Sequence, residues 1–262
     1  RLATSIERSS GRNARNVCGY LRGADATLAG EVVVVGAHHD HVGRGLVGSA
    51  GGLADEGRVH PGADDNASGT AAMLEIAETL ATAPTRPRRS VLFLSFSGEE
   101  LGLLGSVHYV THPTVPLADI DVMVNCDMVG RYDEKRTLEI GGVGTGEGLQ
   151  ALVARANAPH GLALTWDPSG VAPSDNTPFF RKRVPVLFFF TGIHPDYHTP
   201  RDTPDAINYL GAVRVTALCR DTVLALADRD ARIAYTTPPP GAEGSKAALG
   251  IQPAPGSDAG ER

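Results

Sequence analysis

The sequence predicts an α/β fold, a three-layer α/β/α sandwich around a mixed, mostly parallel central sheet. Three observations lead there. Short apolar runs alternate with helical patterns along most of the chain. The runs are unbroken rather than alternating: Val32 to Val35 is apolar on both sides, as in a strand covered by helices on both faces. Polar clusters rich in His and acids follow directly after several of these runs, where open α/β sheets carry their sites.

In chain order, Glu31 to Ala37 is predicted as a buried strand, followed by a Gly-rich loop from Val42 to Gly62. Ser68 to Thr82 reads as a helix, with Met73, Ile76, Ala77 and Leu80 on one side. Ser90 to Ser97 is a second strand and Leu103 to Val110 a short helix. Asp119 to Met128 and Arg136 to Ile140 read as strands, Gly148 to Ala158 as a helix, and Leu162 to Trp166 as a strand. Val184 to Phe190 is the most hydrophobic strand. A long helix is predicted from Pro204 to Asp228, with Thr203 as cap and Pro204 in the first turn. Residues 1–236 form one domain in this reading, and 237–262 a disordered Pro/Gly-rich tail or linker. Within it, Leu249 to Pro253 is a weak candidate for the start of another module.

Composition narrows the function. The 262 residues, 42% hydrophobic and 21% charged, are ordinary for a globular chain with a sizeable core. A net charge of -6 argues against a nucleic-acid or anionic-membrane surface. No apolar run approaches the roughly 18–20 residues of a membrane span. The 3 cysteines are distant in sequence and lack Cys-x-x-Cys spacing, which disfavours a disulfide framework or a Cys-rich zinc site. The chain starts at Arg1 without a signal-like segment, pointing to a processed or excised chain.

Some motifs are absent. There is no His-Glu-x-x-His and no Gly-x-Ser-x-Gly. Gly141 to Gly148 has the wrong glycine register for a dinucleotide loop and reads as a turn.

Five polar clusters remain. In Gly36-Ala-His-His-Asp-His41, alternation puts His38 and Asp40 on one side and His39 on the other. That pair suits a metal ligand and its orienting carboxylate, or a solvated loop. Gly62-Ala-Asp-Asp-Asn-Ala-Ser-Gly69 precedes a helix, where Asp and Asn also serve as turn formers and caps. Glu99 and Glu100 open a helix and would complement its dipole. Asp127 ends an apolar strand, where an ionised carboxylate is costly unless paired or bound to a cation. Asp196-Tyr-His-Thr-Pro-Arg-Asp-Thr203 follows the most buried strand. Each cluster has a structural explanation. Together they supply two His and three carboxylates, which Zn²⁺ would accept, with a Glu left over as a base.

The ordered set His-x-Asp, Gly-Ala-Asp-Asp-Asn-Ala-Ser-Gly, Gly-Glu-Glu, Asp-Met and Tyr-His-Thr-x-x-Asp-Thr resembles the two-zinc aminopeptidase family that also contains glutamate carboxypeptidase II and the glutaminyl cyclases. The resemblance covers Asn16 to Asp228. It implies two zinc ions per chain, held by His38, Asp65, Glu100, Asp127 and His198, with Asp65 bridging and often followed by a cis peptide. It further implies Asp40 as the orienting partner of His38, Glu99 as general base and Tyr197 as an oxyanion donor. Asp175 and Asn176 match a segment near the substrate, although many relatives have His where Asn176 stands.

The implied activity is zinc-dependent hydrolysis of peptide bonds, foremost as an aminopeptidase. Carboxypeptidase or other amidohydrolase activity is the alternative, with Arg131, Arg181, Lys182 and Arg183 as candidate carboxylate binders. A glutaminyl cyclase-type transferase ranks next, and a receptor-type ectodomain would be expected to have lost ligands. Peptide is the implied partner, and the likeness implies export to the periplasm or beyond the cell.

Overall fold

The computed structural model describes residues 14–239 apart from Glu134 and Arg136. The tail from residue 240 on, with Leu249 to Pro253, lies outside the described residues. Among the described residues the strands are β1 (Val17–Leu21), β2 (Val32–His38), β3 (Ser90–Phe96), β4 (Ile120–Cys126), β5 (Leu138–Gly141), β6 (Leu164–Trp166) and β7 (Val186–Phe190). They form one sheet in the order β1-β3-β2-β4-β7-β5-β6. The core β3-β2-β4-β7 is parallel, β1 and β5 run antiparallel to their inner neighbours, and β6 lies parallel to β5.

Helices cover both faces. On one side α1 (Gly69–Thr82), α3 (Leu149–Asn157) and α5 (Tyr209–Ala227) pack over Val33, Val35, Val122, Val124 and Leu187. On the other, α2 (Leu104–Thr111) and α4 (Asn176–Arg181) pack over Val32, Val34, Leu92, Leu94 and Met123. The valine run of β2 thus divides residue by residue between two cores, as an extended chain requires. Cys126 of β4 and Cys219 of α5, distant in sequence, meet thiol to thiol at 3.3 Å, and both are free.

The start of the last helix and its cap differ from expectation. Pro204–Ala206 forms only a single 3₁₀ turn, and α5 begins at Tyr209. The side chain of Asn208, not Thr203, accepts the Gly211 N–H as its cap. The sequence reading also passed over β1 and the six-residue α4. No helix among the described residues is long and apolar enough to cross a membrane.

Candidate active site

The carboxyl ends of the parallel strands converge on one point. His38 is the last residue of β2, Glu99 and Glu100 follow β3, Asp127 directly follows β4, and His198 lies in the loop after β7. Asp65 enters from the segment before α1, and its peptide bond to Asn66 is cis.

These side chains form two adjoining groups. In the first, His38 Nε2 lies 3.4 Å from Asp65 Oδ1, 3.4 Å from Asp127 Oδ1 and 3.9 Å from Glu99 Oε2. In the second, His198 Nε2 lies 2.9 Å from both Asp65 Oδ2 and Glu100 Oε2. Asp65 therefore offers one oxygen to each group.

Both imidazoles are held in one tautomer. His38 Nδ1 donates to the Asp40 carbonyl at 3.1 Å, and His198 Nδ1 donates to the Gly48 carbonyl at 2.7 Å. A carbonyl can only accept, so each Nδ1 keeps its proton, and each Nε2 is the atom that turns a lone pair to a metal once its own proton leaves. His198 Nε2 and Asp127 Oδ1 are buried and make no directed hydrogen bond. Buried ring nitrogens and carboxylate oxygens that converge at these distances suit a cation between them, a proton in the metal-free chain or a metal ion in its place, and this donor set suits zinc.

The orienting contact from Asp40 differs from expectation. Its carboxylate lies 3.8 Å from His38 Nδ1, too long for a hydrogen bond, and the residue's main-chain carbonyl does the holding. The carboxylate instead accepts the backbone N–H groups of Glu99 and Glu100, at 3.1 and 3.3 Å. His39 faces away and bonds Ser95 Oγ.

Burial opposes charge on His38, but Asp127 and Glu99 outweigh it and raise its pKa well above the usual value. Burial likewise opposes charge on His198, yet Asp65 and Glu100 push its pKa up to about 10. Glu99 is lifted well above the carboxylate range by burial, partly offset by His38 and reinforced by Asp127 and Asp175. Burial also pushes Asp175 up to about 7. Asn176 is fully buried at the start of α4 and donates to the Gly170 carbonyl. The Tyr197 ring stacks on His198 at 3.8 Å between centroids, and burial followed by the surrounding carboxylates keeps its phenol protonated.

Beside the two groups is a small pocket lined by Asp65, Glu99, Asp127, Met128, Pro173, Phe188, Phe190, Ile193 and Tyr197. It is apolar and aromatic away from the carboxylates, and none of its lining residues is basic. A larger cavity of about 670 Å³ lies between α1 and α5 and includes none of these ligand candidates.

Residues 16–223 match peptidase family M28. The chain belongs to this family. It is 33% identical over 188 residues to aminopeptidase YwaD of Bacillus subtilis, covering 68% of this chain and 37% of that protein. It is 30% identical over 192 residues to leupeptin-inactivating enzyme 1 of Streptomyces exfoliatus, covering 70% and 37%. Among solved structures it is similar to a zinc aminopeptidase from Bacillus subtilis, with 28% identity, TM-score 0.65, and 79% of this chain on 49% of that one. The aminopeptidase from Aneurinibacillus sp. strain AM-1 gives 25% identity, TM-score 0.68, and coverage of 85% and 50%. The chain spans 37% of the length of each of these two curated relatives.

Three further residues support the site: His41 and Asp202, which stand in the quoted motifs without a role, and Ser174, which directly precedes Asp175. Ser174 Oγ donates to Asp127 Oδ2 at 2.6 Å, leaving Oδ1 to face His38. Asp202 accepts the backbone N–H groups of Asp64 and Asp65. His41 contacts Glu100. Position next to a ligand motif was the only signal for any of them.

Proposed function

We propose that this chain is the catalytic domain of a zinc-dependent aminopeptidase that releases apolar residues from peptide amino termini. The observation that carries this reading is Asp65, which presents one oxygen to His38, itself 3.4 Å from Asp127, and the other to His198 in the group with Glu100. In this reading, His38, Asp65 and Asp127 hold one zinc ion, and Asp65, Glu100 and His198 a second. Two zinc ions so held would acidify a water and polarise the scissile carbonyl.

The protein's own groups carry the proton. Glu99, buried and with a raised pKa, takes a proton from the attacking water and passes it to the leaving amine. Tyr197, held as a neutral phenol against His198, donates a hydrogen bond to the oxygen on which negative charge develops. Asp40 fixes the main chain of Glu99 and Glu100, so base and ligand keep their relative position. Met128, Phe188, Phe190 and Ile193 receive an apolar terminal side chain, and their burial of it favours such substrates.

The carboxypeptidase alternative needs a cation for the substrate carboxylate. Arg131 is already paired with Asp202 at 3.0 Å and Asp196 at 3.4 Å. Arg181, Lys182 and Arg183 are exposed and precede β7, at the end of the parallel strands opposite the site. That distribution favours the aminopeptidase.

A panel of aminoacyl anilides, with free and acetylated amines, tests the reading with and without a chelator. Cleavage of free Leu or Phe substrates, abolished by chelator and restored by zinc, is expected. Equal rates on acetylated substrates would reject the aminopeptidase, and chelator-resistant turnover would reject the metal site.

A further inference from the structure

His41 is the last residue of the His-rich motif after β2, and no role has so far been attached to it. Its side chain is 9% exposed and sits beside the second ligand group, 2.8 Å from Glu100 Oε1 through Nδ1. A carboxylate only accepts, so Nδ1 carries the proton. Glu100 Oε2, the other oxygen, is the one 2.9 Å from His198 Nε2. His41 Nδ1 is 3.8 Å from Asp65 Oδ2, beyond hydrogen-bond reach. The His41 ring meets the His198 ring edge to face, with centroids 5.4 Å apart. Space for it is cleared by Gly62, where a Cβ would lie 2.6 Å from His41 Cγ and where φ is +64°.

The two groups follow one pattern. Asp127 has one oxygen held by Ser174 and the other turned to His38. Glu100 has one oxygen held by His41 and the other turned to His198. We infer that His41 is a positioning residue of the second metal group: its Nδ1–H holds Glu100 Oε1, so that Oε2 alone faces Asp65 and His198. The inference rests on the two-zinc reading of the site.

Outer donors of this kind are commonly worth about 10- to 100-fold in metal affinity. Zinc titration of the metal-free chain against a chelating dye, with bound metal counted by elemental analysis, tests the role without reference to activity. His41→Ala is expected to weaken one of two zinc ions by about 10- to 100-fold and leave the other unchanged. His41→Asn, whose amide places a donor near the Nδ1 position, is expected to recover most of the loss. Far-ultraviolet circular dichroism and melting of the metal-free variants check their fold, and His41→Asn carries the test if His41→Ala does not fold. Wild-type affinity at both sites in His41→Ala overturns the inference. An Asn variant as weak as the Ala variant, or weak beside wild type where Ala does not fold, overturns the donor role. A wild-type chain that binds fewer than two zinc ions overturns the two-zinc reading itself, a result distinct from either.

Discussion

The carboxylate of Asp202 accepts the backbone N–H of Asp65 at 3.0 Å, across 137 residues of sequence. The same oxygen takes the Asp64 N–H at 2.9 Å, while the other oxygen binds Arg131 at 3.0 Å. A fully buried carboxylate thus fixes the main chain from which the shared ligand Asp65 projects. Asp202→Ala would leave two buried N–H groups without their acceptor and the mostly buried Arg131 guanidinium with only its longer contact to Asp196 at 3.4 Å. We expect a loss of roughly 3 kcal/mol or more in the metal-free chain, and weaker zinc binding. Asp202→Asn keeps an acceptor and is expected to lose less. Urea unfolding followed through Trp166, the single tryptophan, measures both.

Glu99 and Asp65 separate chemistry from metal binding. Glu99→Gln is expected to retain both zinc ions while kcat falls about 10²- to 10⁴-fold. Asp65→Ala is expected to lose metal and activity together. Elemental analysis beside steady-state kinetics distinguishes them, and full activity in Glu99→Gln would remove Glu99 from the mechanism.

Zinc affinity should rise with pH. The metal-free chain carries protons on His38, raised well above 6.5, and on His198, raised to about 10. Each proton must leave before its Nε2 can bind metal. Between pH 6 and 8.5 the logarithm of apparent affinity is expected to climb by about one per pH unit for each proton displaced. The stability of the metal-free fold runs the other way. A raised histidine pKa stabilises fully below the unfolded value of 6.5, and that contribution disappears as pH rises through about 10. Competition titrations over this range, with calorimetry in buffers of different ionisation enthalpy, check the slope. An affinity flat with pH would contradict it.

Ile193, 44% exposed at the pocket rim, should tune substrate choice. Ile193→Ala is expected to lower kcat/KM for an N-terminal Leu about tenfold relative to Ala, since small changes in apolar contact discriminate by about 1–3 kcal/mol. Parallel kinetics on the two anilides give the ratio.

The parts of the fold legible in the sequence were those in which one physical requirement dominates. The Val32 to Val35 run admits little but a strand buried on both faces. By contrast, β1 is half-exposed at a sheet edge and contains Gly19, so no face imposes a pattern on it. The start of α5 was misplaced because Thr203 and Pro204 carry a valid start signal that the chain uses for one 3₁₀ turn only. At the site, the residues that resemblance pointed to lie together. Contacts made by main-chain atoms did not show in the side chains: Asp40 was expected to hold His38 through its carboxylate, and its carbonyl does so. His41 stayed hidden because periodicity says nothing about where a loop residue after a strand will point.

The hold on His198 has an evolutionary consequence. Beyond His41, the stretch from Gly48 to Ala50 hydrogen-bonds it through main-chain atoms, the Gly48 carbonyl on its ring and the Ala50 N–H on its carbonyl. Leu46, Val47 and Leu53 of that loop are exposed, so drift at those positions leaves the contact intact. A single inserted or deleted residue would instead carry the Gly48 carbonyl away from the ring it orients. This stretch is therefore free in spelling at its exposed apolar positions but fixed in length, and fixed too at Gly45 and Gly48, whose positive φ and close neighbours leave no room for a side chain.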